Sequence, residues 1–287
     1  MTILSIQSQV SYGHVGNSSA VFPLQRLGAE VWPVNTVAFS NHTGYGSWRG
    51  VVLGAAHVRE IVTGIAERGV LSQCDAVLSG YLGDAEIGEA VLEALQLVRR
   101  KNPKALFCCD PVMGDYGCGF FVREGIPAVM REKMVPASDI ATPNQFELEA
   151  LTGMELVDME SAARATSILH GQGVRVVLVT SFHPRTLAAG HISMLVSDSG
   201  VIYSLETPEL PLSPRPNGAG DLTAAIFLAR YLQGADAVKS LELTAAAVYS
   251  VLERTLEEGK SELALVGAQD AIASPPLRFK AVRRPLP

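Results

Sequence analysis

At 287 residues the chain is long enough to bury a substantial core, and its composition, 48% hydrophobic and 18% charged, is that of a globular protein. A net charge of −6 argues against nucleic acid or an acidic membrane surface as the main partner. No apolar run approaches the roughly 20 residues of a membrane-spanning helix, and we expect no signal peptide, since residues 1–8 lack a basic region and a cleavage site.

Short apolar runs alternate with amphipathic segments along the chain. The runs predict strands at residues 3–6, 30–39, 76–79, 105–109, 139–142 and 174–179, the second of them interrupted by Pro33. Helical periodicity predicts helices at residues 18–27, 58–68, 87–100, 126–133, 161–170, 222–232 and 237–257, and another from Asn144. Residues 191–196 and 201–205 are predicted to form an antiparallel pair. The alternation predicts an α/β fold with a mainly parallel sheet, and without a linker or repeat we expect a single domain over residues 1–287.

Polar residues follow the predicted strands. In open parallel sheets, ligands bind beyond the carboxyl ends of the strands, so these residues are candidates for one site. They are Ser8, residues 41–43, Gly80, Tyr81, Asp110, Asn144, Glu147 and Thr180.

A glycine-rich stretch, Asn-Gly-Ala-Gly-Asp-Leu-Thr at residues 217–223, follows a proline-rich segment and opens a predicted helix. Glycines at 218 and 220 let successive N–H groups point into one concavity, and a helix start adds further free N–H groups, which together suit a phosphate or a developing oxyanion. Asp221 has two interpretations. It is either the N-cap of the helix or a general base beside an anion hole, taking the proton from a hydroxyl that attacks a phosphoryl group.

Two further motifs also allow a structural or a functional interpretation. Asp110, in Asp-Pro-Val-Met-Gly-Asp, is either part of an ordinary turn or a carboxylate near a metal or phosphate. Asn144 and Glu147 have the spacing of a capping box, yet both lie on one helical face at a strand end. Magnesium takes oxygen ligands and keeps several waters, so few protein ligands suffice for it.

The cysteines indicate a reducing compartment. Cys74, Cys108, Cys109 and Cys118 show no C-x-x-C spacing, and adjacent cysteines in a strand do not bridge easily, so we expect free thiols in the cytoplasm. Cys118, in a glycine-rich loop, is interpreted as a spectator thiol. The six histidines form no zinc signature, and no G-x-x-x-x-G-K-[ST] motif occurs, which excludes a P-loop kinase.

The ordered set of these motifs resembles a known family. Asp-Pro-Val-Met-Gly at 110–114, Asn-x-x-Glu at 144–147 and Gly-Ala-Gly-Asp at 218–221 are similar to the ribokinase-like superfamily of ATP-dependent small-molecule kinases. Within it, the motifs at residues 6–8, 13–17, 39–43, 78–83 and 110–114 resemble the pyridoxal kinases, in particular the bacterial PdxY type. The resemblance extends from about residue 3 to residue 275.

The resemblance implies a three-layer αβα fold and transfer of phosphate from ATP to the 5′-hydroxyl of pyridoxal. Asp221 would be the general base, and Gly218, Ala219 and Gly220 would form the anion hole. The implied pyridoxal-binding residues are Ser8, Thr43, Gly44, Tyr81 and Asp221. The implied ATP-binding residues are Asp110, Thr142, Glu147 and Thr180, with Asp110 and Glu147 near Mg²⁺. A homodimer is implied as well, and a monovalent cation such as K⁺ is a further candidate cofactor.

Three positions depart from the family pattern. Thr43 is followed by Gly44 where relatives often have glutamine, Thr180 occupies the place of a common lysine, and the lid cysteine of some relatives falls on Phe120 instead of Cys118. The alternatives are a related kinase for hydroxymethylpyrimidine or a sugar, and a non-catalytic vitamin B6-binding protein. A flat aromatic substrate suits Tyr81 and Thr43 better than a sugar does.

Overall fold

The computed structural model of the chain describes residues 1–284. Its strands, in chain order, are β1 (Thr2–Val10), β2 (Glu30–Phe39), β3 (Gly50–Val52), β4 (Ala76–Ser79), β5 (Leu106–Cys109), β6 (Gly114–Asp115), β7 (Gly119–Phe120), β8 (Ile140–Ala141), β9 (Val176–Phe182), β10 (His191–Asp198), β11 (Val201–Pro208) and β12 (Val282–Arg284). Its helices are α1 (Asn17–Arg26), α2 (Gly54–Glu67), α3 (Ala85–Lys101), α4 (Ile126–Val129), α5 (Gln145–Thr152), α6 (Met159–Gly171), α7 (Ala219–Leu232), α8 (Ala237–Glu257) and α9 (Gln269–Ala273).

Ten of these strands form one sheet in the order β12-β11-β10-β9-β8-β5-β4-β1-β2-β3. The six strands from β9 to β2 in this order are mutually parallel, and antiparallel strands flank them at both ends. Strands β6 and β7 form a separate two-stranded hairpin. Because the parallel strands share a direction, their carboxyl ends meet along a single edge of the sheet.

Each face of the sheet is covered by helices, as the alternation of side chains along β1 illustrates. Leu4 and Ile6 pack into a core with residues of α2 to α6, whereas Ile3 packs with α1, α7, α8 and α9 on the opposite face. Strands buried on both faces explain the continuous apolar runs in the sequence. The structure therefore confirms the predicted three-layer α/β architecture with a mainly parallel central sheet.

The prediction that Pro33 interrupts its strand is wrong. Strand β2 is continuous, and Pro33 is paired with Ser5 of β1. On the other side of β2, β3 pairs only with residues 37–39, so Pro33 lies where that edge has no partner strand within residues 1–284. Proline is tolerated in a strand at such an edge because its missing N–H costs no ladder hydrogen bond.

Two strands run further than the sequence predicts, and the pairing of each with a neighbour is irregular near its carboxyl end. The register between β1 and β2 shifts between Gln7 and Gln9, and the register between β10 and β9 shifts between Phe182 and Val179. Ser8 and Thr180 therefore lie within strands, and their expected places just beyond strand ends are corrected. The extra residue lies in β2 opposite Ser8 and in β9 at residues 180–181, and such bulges can redirect the side chains around them.

The remaining differences concern short elements. The predicted helix at 126–133 is divided into α4 and a π-helical turn, Met130–Met134. Strands β3, β6, β7 and β12 and helix α9 were not predicted, since segments of two to five residues carry too little periodicity to detect.

Candidate active site

Two cavities open at the carboxyl edge of the parallel strands. The first, of about 280 Å³, is lined by residues that follow or end β1, β2, β4, β5 and β8, together with the glycine-rich stretch. The second, of about 460 Å³, lies between β9, β10, β11 and helix α8. The cavities have seven lining residues in common: Asp115, Asn144, Thr180, Pro216, Asn217, Ala219 and Gly220. The glycine-rich stretch is thus at the junction of two adjoining spaces.

Gly218 shapes that junction. Its φ is +86°, and a Cβ atom on it would lie 1.7 Å from the carbonyl oxygen of His14, so no other residue fits there without movement. Helix α7 begins at Ala219, and within residues 1–284 nothing accepts a hydrogen bond from the backbone N–H of Ala219 or Gly220. These two N–H groups are available to an anion in the first cavity, as expected at a helix start.

Asp221 is the third residue of α7, and Gly218 occupies the N-cap position, with no side-chain cap hydrogen bond. The interpretation of Asp221 as the N-cap is therefore wrong. Asp221 lines the first cavity. Burial raises the pKa of Asp221 to about 6, although the backbone N–H groups of Gly16 and of Asp221 itself act in the opposite direction. A carboxyl with such a pKa is largely ionised at neutral pH and is more basic than an ordinary aspartate.

Asp110 follows β5 and is buried, with 5% of its surface exposed. The hydroxyl of Thr142, at the end of β8, donates a hydrogen bond of 2.9 Å to Asp110 Oδ1. Burial raises the pKa of Asp110 well above its ordinary value, and the nearby carboxylates of Glu147 and Asp221 raise it further. The expected pair of Asp110 and Thr142 is thus in direct contact at the wall of the first cavity.

Glu147 completes the capping box that its spacing with Asn144 predicts. Its Oε2 accepts a hydrogen bond of 2.9 Å from the Asn144 N–H, while Asn144 Oδ1 accepts one of 2.9 Å from the Glu147 N–H. Its Oε1 accepts a hydrogen bond of 2.9 Å from the Met113 N–H. The same residue lines the first cavity, and burial raises the pKa of Glu147 to about 8. The interpretation of Asn144 and Glu147 as a capping box is therefore confirmed. Because Glu147 also lines the cavity, a role in binding remains a prediction.

Asp110, Glu147 and Asp221 all line the first cavity, whose described lining contains no Lys or Arg. Crowded carboxylates in a dry site repel one another, so this set fits a cation, and oxygen donors suit Mg²⁺. Within residues 1–284, however, no group of three or more His, Cys, Asp or Glu side chains is arranged to hold a metal ion. The residues therefore fit an ion that completes its coordination with water and phosphate oxygens instead of an all-protein site.

The far wall of the first cavity is mainly apolar. Val10, Val37 and Phe39 belong to a small core cluster against which Tyr81 packs, and all four residues line the cavity. The other expected substrate residues, Ser8 and Thr43, line it too, together with His42. Gly44 is not among the lining residues. It lies in the 3₁₀ turn Thr43–Tyr45, where its N–H donates to His42 Nδ1 at 3.1 Å.

A buried polar network lies next to the apolar wall of the first cavity. Asn17 Oδ1 accepts a hydrogen bond of 2.8 Å from Ser5 Oγ, and its amide donates one of 2.9 Å to Asn35 Oδ1. The hydroxyl of Thr36 donates to the carbonyl of Tyr81 at 2.7 Å. Buried groups satisfied in this way fix the backbone of neighbouring strands, and so hold Ser8 and Tyr81 in place.

The second cavity is built largely from residues that the sequence interpretation did not single out. One wall is the apolar stripe of α8, at Ala245, Val248, Tyr249 and Leu252. Arg215 is the one Lys or Arg among the described residues lining either cavity, and its side chain pairs with Glu209, which also lines the second cavity. The i, i+3, i+4, i+7 spacing of these four residues predicts that they share one face of α8. It does not tell a cavity wall from an ordinary core face, because both have this spacing.

The β6–β7 hairpin borders both cavities. Asp115 lines each of them, Tyr116 lines the second, and the Tyr116 hydroxyl is hydrogen-bonded to Glu149 of α5. Phe120 packs edge-to-face on Phe146, with ring centroids 5.1 Å apart. Cys118 is exposed at the tip of this hairpin, and its interpretation as a spectator stays a prediction.

Comparison with known proteins identifies the family. The chain is 57% identical over 285 residues to pyridoxal kinase PdxY of Rubrobacter xylanophilus, covering 99% of this chain and 97% of that protein. It is 53% identical to pyridoxal kinase PdxY of Granulibacter bethesdensis, covering 98% and 99%. The chain belongs to the pyridoxal kinase family. The sequence model of the phosphomethylpyrimidine kinase family also matches residues 54–265.

Solved structures of pyridoxal kinases agree with this assignment. Pyridoxal kinase from Leishmania donovani, in complex with ADP and pyridoxamine, superimposes with a TM-score of 0.91 at 30% identity, covering 99% of both chains. Pyridoxal kinase from Trypanosoma brucei gives a TM-score of 0.86 at 30% identity, covering 98% of this chain and 99% of the other. The resemblance and ribokinase-like fold expected from the sequence are confirmed. No helix in residues 1–284 is long and apolar enough to cross a membrane.

Proposed function

We propose that this member of the pyridoxal kinase family transfers the γ-phosphoryl group of ATP to the 5′-hydroxyl of pyridoxal, giving pyridoxal 5′-phosphate and ADP. The observation that carries the proposal is the junction of two cavities at the glycine-rich stretch, with Asp221 on one side of it. A transfer between two substrates needs two adjoining spaces with anion-binding groups where they meet. The first cavity takes pyridoxal and, next to the glycine-rich stretch, the terminal phosphates of ATP, and the second cavity takes the rest of the nucleotide.

Asp221 acts as the general base in this proposal. As the 5′-oxygen attacks the γ-phosphorus, the Asp221 carboxylate accepts the hydroxyl proton, and the bond between the γ-phosphorus and the β,γ-bridging oxygen breaks to release ADP. The free N–H groups of Ala219 and Gly220, shaped by Gly218, stabilise the charge on the transferring phosphoryl oxygens. Positioning and electrostatics supply most of the rate because the transfer requires little covalent work from the protein.

The remaining expected residues divide between the two substrates. Ser8, Thr43 and Tyr81 border pyridoxal, and Gly44 contributes through the turn that carries Thr43. Asp110, Thr142, Glu147 and Thr180 border the phosphates, with Thr180 lining both cavities. Asp110 and Glu147 would hold Mg²⁺, which supplies charge neutralisation to the phosphates when it is bound. Because both Glu147 oxygens already accept backbone hydrogen bonds, Glu147 suits a water-mediated contact.

Several further properties are proposed from family membership. We propose a homodimer in the cytoplasm, one domain over residues 1–287, and a stimulatory monovalent cation such as K⁺. Buried thiols are compatible with a reducing compartment, since burial raises the pKa of Cys74 to about 11 and that of Cys109 to about 12 and leaves both groups unreactive.

One observation favours a second candidate. The match to the phosphomethylpyrimidine kinase family model points to a pyrimidine alcohol as an alternative substrate of the same site. A sugar is disfavoured, because the first cavity has Val10, Val37, Phe39 and Tyr81 where a sugar needs several hydroxyl-binding groups.

The experiment that tests the proposed function measures ATP consumption at saturating Mg²⁺ with pyridoxal, pyridoxine, pyridoxamine, hydroxymethylpyrimidine or ribose as the second substrate. The proposal requires the highest kcat/KM with a vitamin B6 form, and binding of pyridoxal without turnover would indicate the non-catalytic alternative.

A further inference from the structure

Glu262 belongs to the segment between α8 and α9, far along the chain from the residues of the first cavity, and the proposed mechanism does not use it. Its Oε2 accepts a hydrogen bond of 3.0 Å from the backbone N–H of His14. Its Oε1 accepts a hydrogen bond from the hydroxyl of Tyr45. One carboxylate thus joins the loop after β1 to the turn after β2, across 248 and 217 residues of sequence respectively.

The first of these partners, His14, belongs to a loop that contacts the glycine-rich stretch and Asp221. The carbonyl of His14 faces Gly218, where an added Cβ would be only 1.7 Å away, and the N–H of Gly16 in the same loop stabilises the Asp221 carboxylate. Gly13 lies directly against Glu262, since an added Cβ there would be 2.5 Å from Oε2. The loop is therefore packed between Glu262 on one side and the glycine-rich stretch on the other.

The second partner, Tyr45, belongs to the turn that borders the proposed pyridoxal cavity. Tyr45 ends the turn Thr43–Tyr45, and both Thr43 and the preceding His42 line the first cavity. Tyr45 is itself exposed, and its ring lies beside that of Tyr12, with centroids 6.0 Å apart. A hydrogen bond to a carboxylate is the strongest contact available to such a residue.

We propose that Glu262 is a positioning residue that holds the turn Thr43–Tyr45 over the pyridoxal cavity and aligns it with Asp221. This inference rests on the proposed function and adds to it a control of pyridoxal binding from the C-terminal segment. Of the residues in and beside this turn, His42 and Thr43 line the first cavity and neither lines the second, so we expect nucleotide binding to be little affected.

The test compares Glu262→Gln, Tyr45→Phe and the double variant with the unaltered protein, and uses Tyr12→Phe as the matched control. Tyr12 is an exposed tyrosine beside Tyr45, but within residues 1–284 its hydroxyl makes no hydrogen bond. We expect each single variant to raise the KM for pyridoxal about threefold to tenfold, with the KM for ATP unchanged within about twofold. The double variant should be no worse than Glu262→Gln alone, because both changes remove the same contact.

A readout without substrate separates this inference from the proposed function. Hydrogen exchange of peptides covering residues 40–49 should quicken in Glu262→Gln and Tyr45→Phe and stay unchanged in Tyr12→Phe. Unchanged exchange in both of the first two variants overturns the inference even if pyridoxal is phosphorylated normally. Equal effects on the KM values of pyridoxal and ATP also overturn it, since they indicate a general structural role. An unaltered protein that fails to phosphorylate pyridoxal overturns the proposed function, while the exchange result still decides whether Glu262 holds the turn.

Discussion

At the scale of single residues, the catalytic proposal for Asp221 depends on where the residue lies. It is on the first turn of α7, beside free N–H groups and lining a cavity, and it is not the N-cap of the helix. A carboxylate in that place does not bind a resting anion. Its position suits a group that receives a proton while negative charge develops next to it.

Asp221→Asn should lower kcat for pyridoxal phosphorylation by about 10²- to 10⁴-fold, because asparagine cannot accept the proton. The side chain keeps its shape, so the melting temperature and the dissociation constant for pyridoxal should stay close to those of the unaltered protein. Steady-state kinetics, thermal melting and equilibrium binding check these three quantities. Near-normal turnover in this variant would remove Asp221 from the mechanism.

The pH dependence of kcat/KM for pyridoxal gives a second check. The base must be ionised, and burial raises the pKa of Asp221 to about 6, so activity should be low under acidic conditions and rise as pH increases through that value. Asp110 and Glu147 titrate in the same cavity, and the apparent pKa therefore describes the group of three. An acidic limb centred near the ordinary aspartate pKa, about 4, would contradict the buried environment.

At the scale of elements, the sequence predicted most strands and helices because buried strands and amphipathic helices carry strong periodicity. Helix α8 and strand β4 have the predicted bounds. The bulges in β2 opposite Ser8 and in β9 near Thr180 could not be predicted, since an extra residue in one strand leaves the apolar pattern almost unchanged. The candidate residues nevertheless converge on one cavity, because the carboxyl ends of parallel strands are adjacent whatever the details of register.

The start of α7 can be tested with two glycine variants that differ in one respect. Gly218→Ala should destabilise the protein by roughly 2 kcal/mol or more and abolish activity, because alanine at φ +86° is strained and its Cβ meets the His14 carbonyl at 1.7 Å. Gly220→Ala is the control for stability, since a Cβ there meets no atom within 4 Å. Urea denaturation of both variants measures the difference. Equal losses of stability in the two variants would show that the start of α7 does not depend on the positive φ of Gly218 or on its close approach to His14.

At the scale of the whole molecule, the fold gathers residues that sequence order keeps apart. The family was predictable because its motifs occur along the chain in the expected order. The sheet type was predictable because apolar runs alternate with amphipathic helices. The contribution of Glu262 was not, since it acts through hydrogen bonds to His14 and Tyr45 and belongs to no motif. The apolar wall from α8 was likewise hidden, because a nucleotide wall and a core face have the same helical spacing.

The carboxylates at the cavity junction should also affect the stability of the whole protein. Burial raises the pKa of Asp110 and of Glu147, the latter to about 8. A carboxyl group whose folded pKa is raised stabilises the fold fully below its unfolded pKa, and this contribution is lost as pH rises through the folded value. Without metal, the free energy of unfolding should therefore fall between about pH 4.5 and pH 8.

Asp110→Asn should reduce that loss, because it removes one of the repelling carboxyl groups and keeps an acceptor for Thr142. In the presence of EDTA we expect the variant to be more stable than the unaltered protein near pH 8 by about 1 kcal/mol, equivalent to roughly 2–4 °C in melting temperature, and to lose that advantage near pH 4. Added Mg²⁺ with a non-hydrolysable ATP analogue should stabilise the unaltered protein more than the variant, since binding to the folded state raises its stability. Melting curves at both pH values, with and without the ligands, measure all of these differences. A variant less stable than the unaltered protein at both pH values would show that Asp110 is structural, held by Thr142, and would remove it from the proposed metal site.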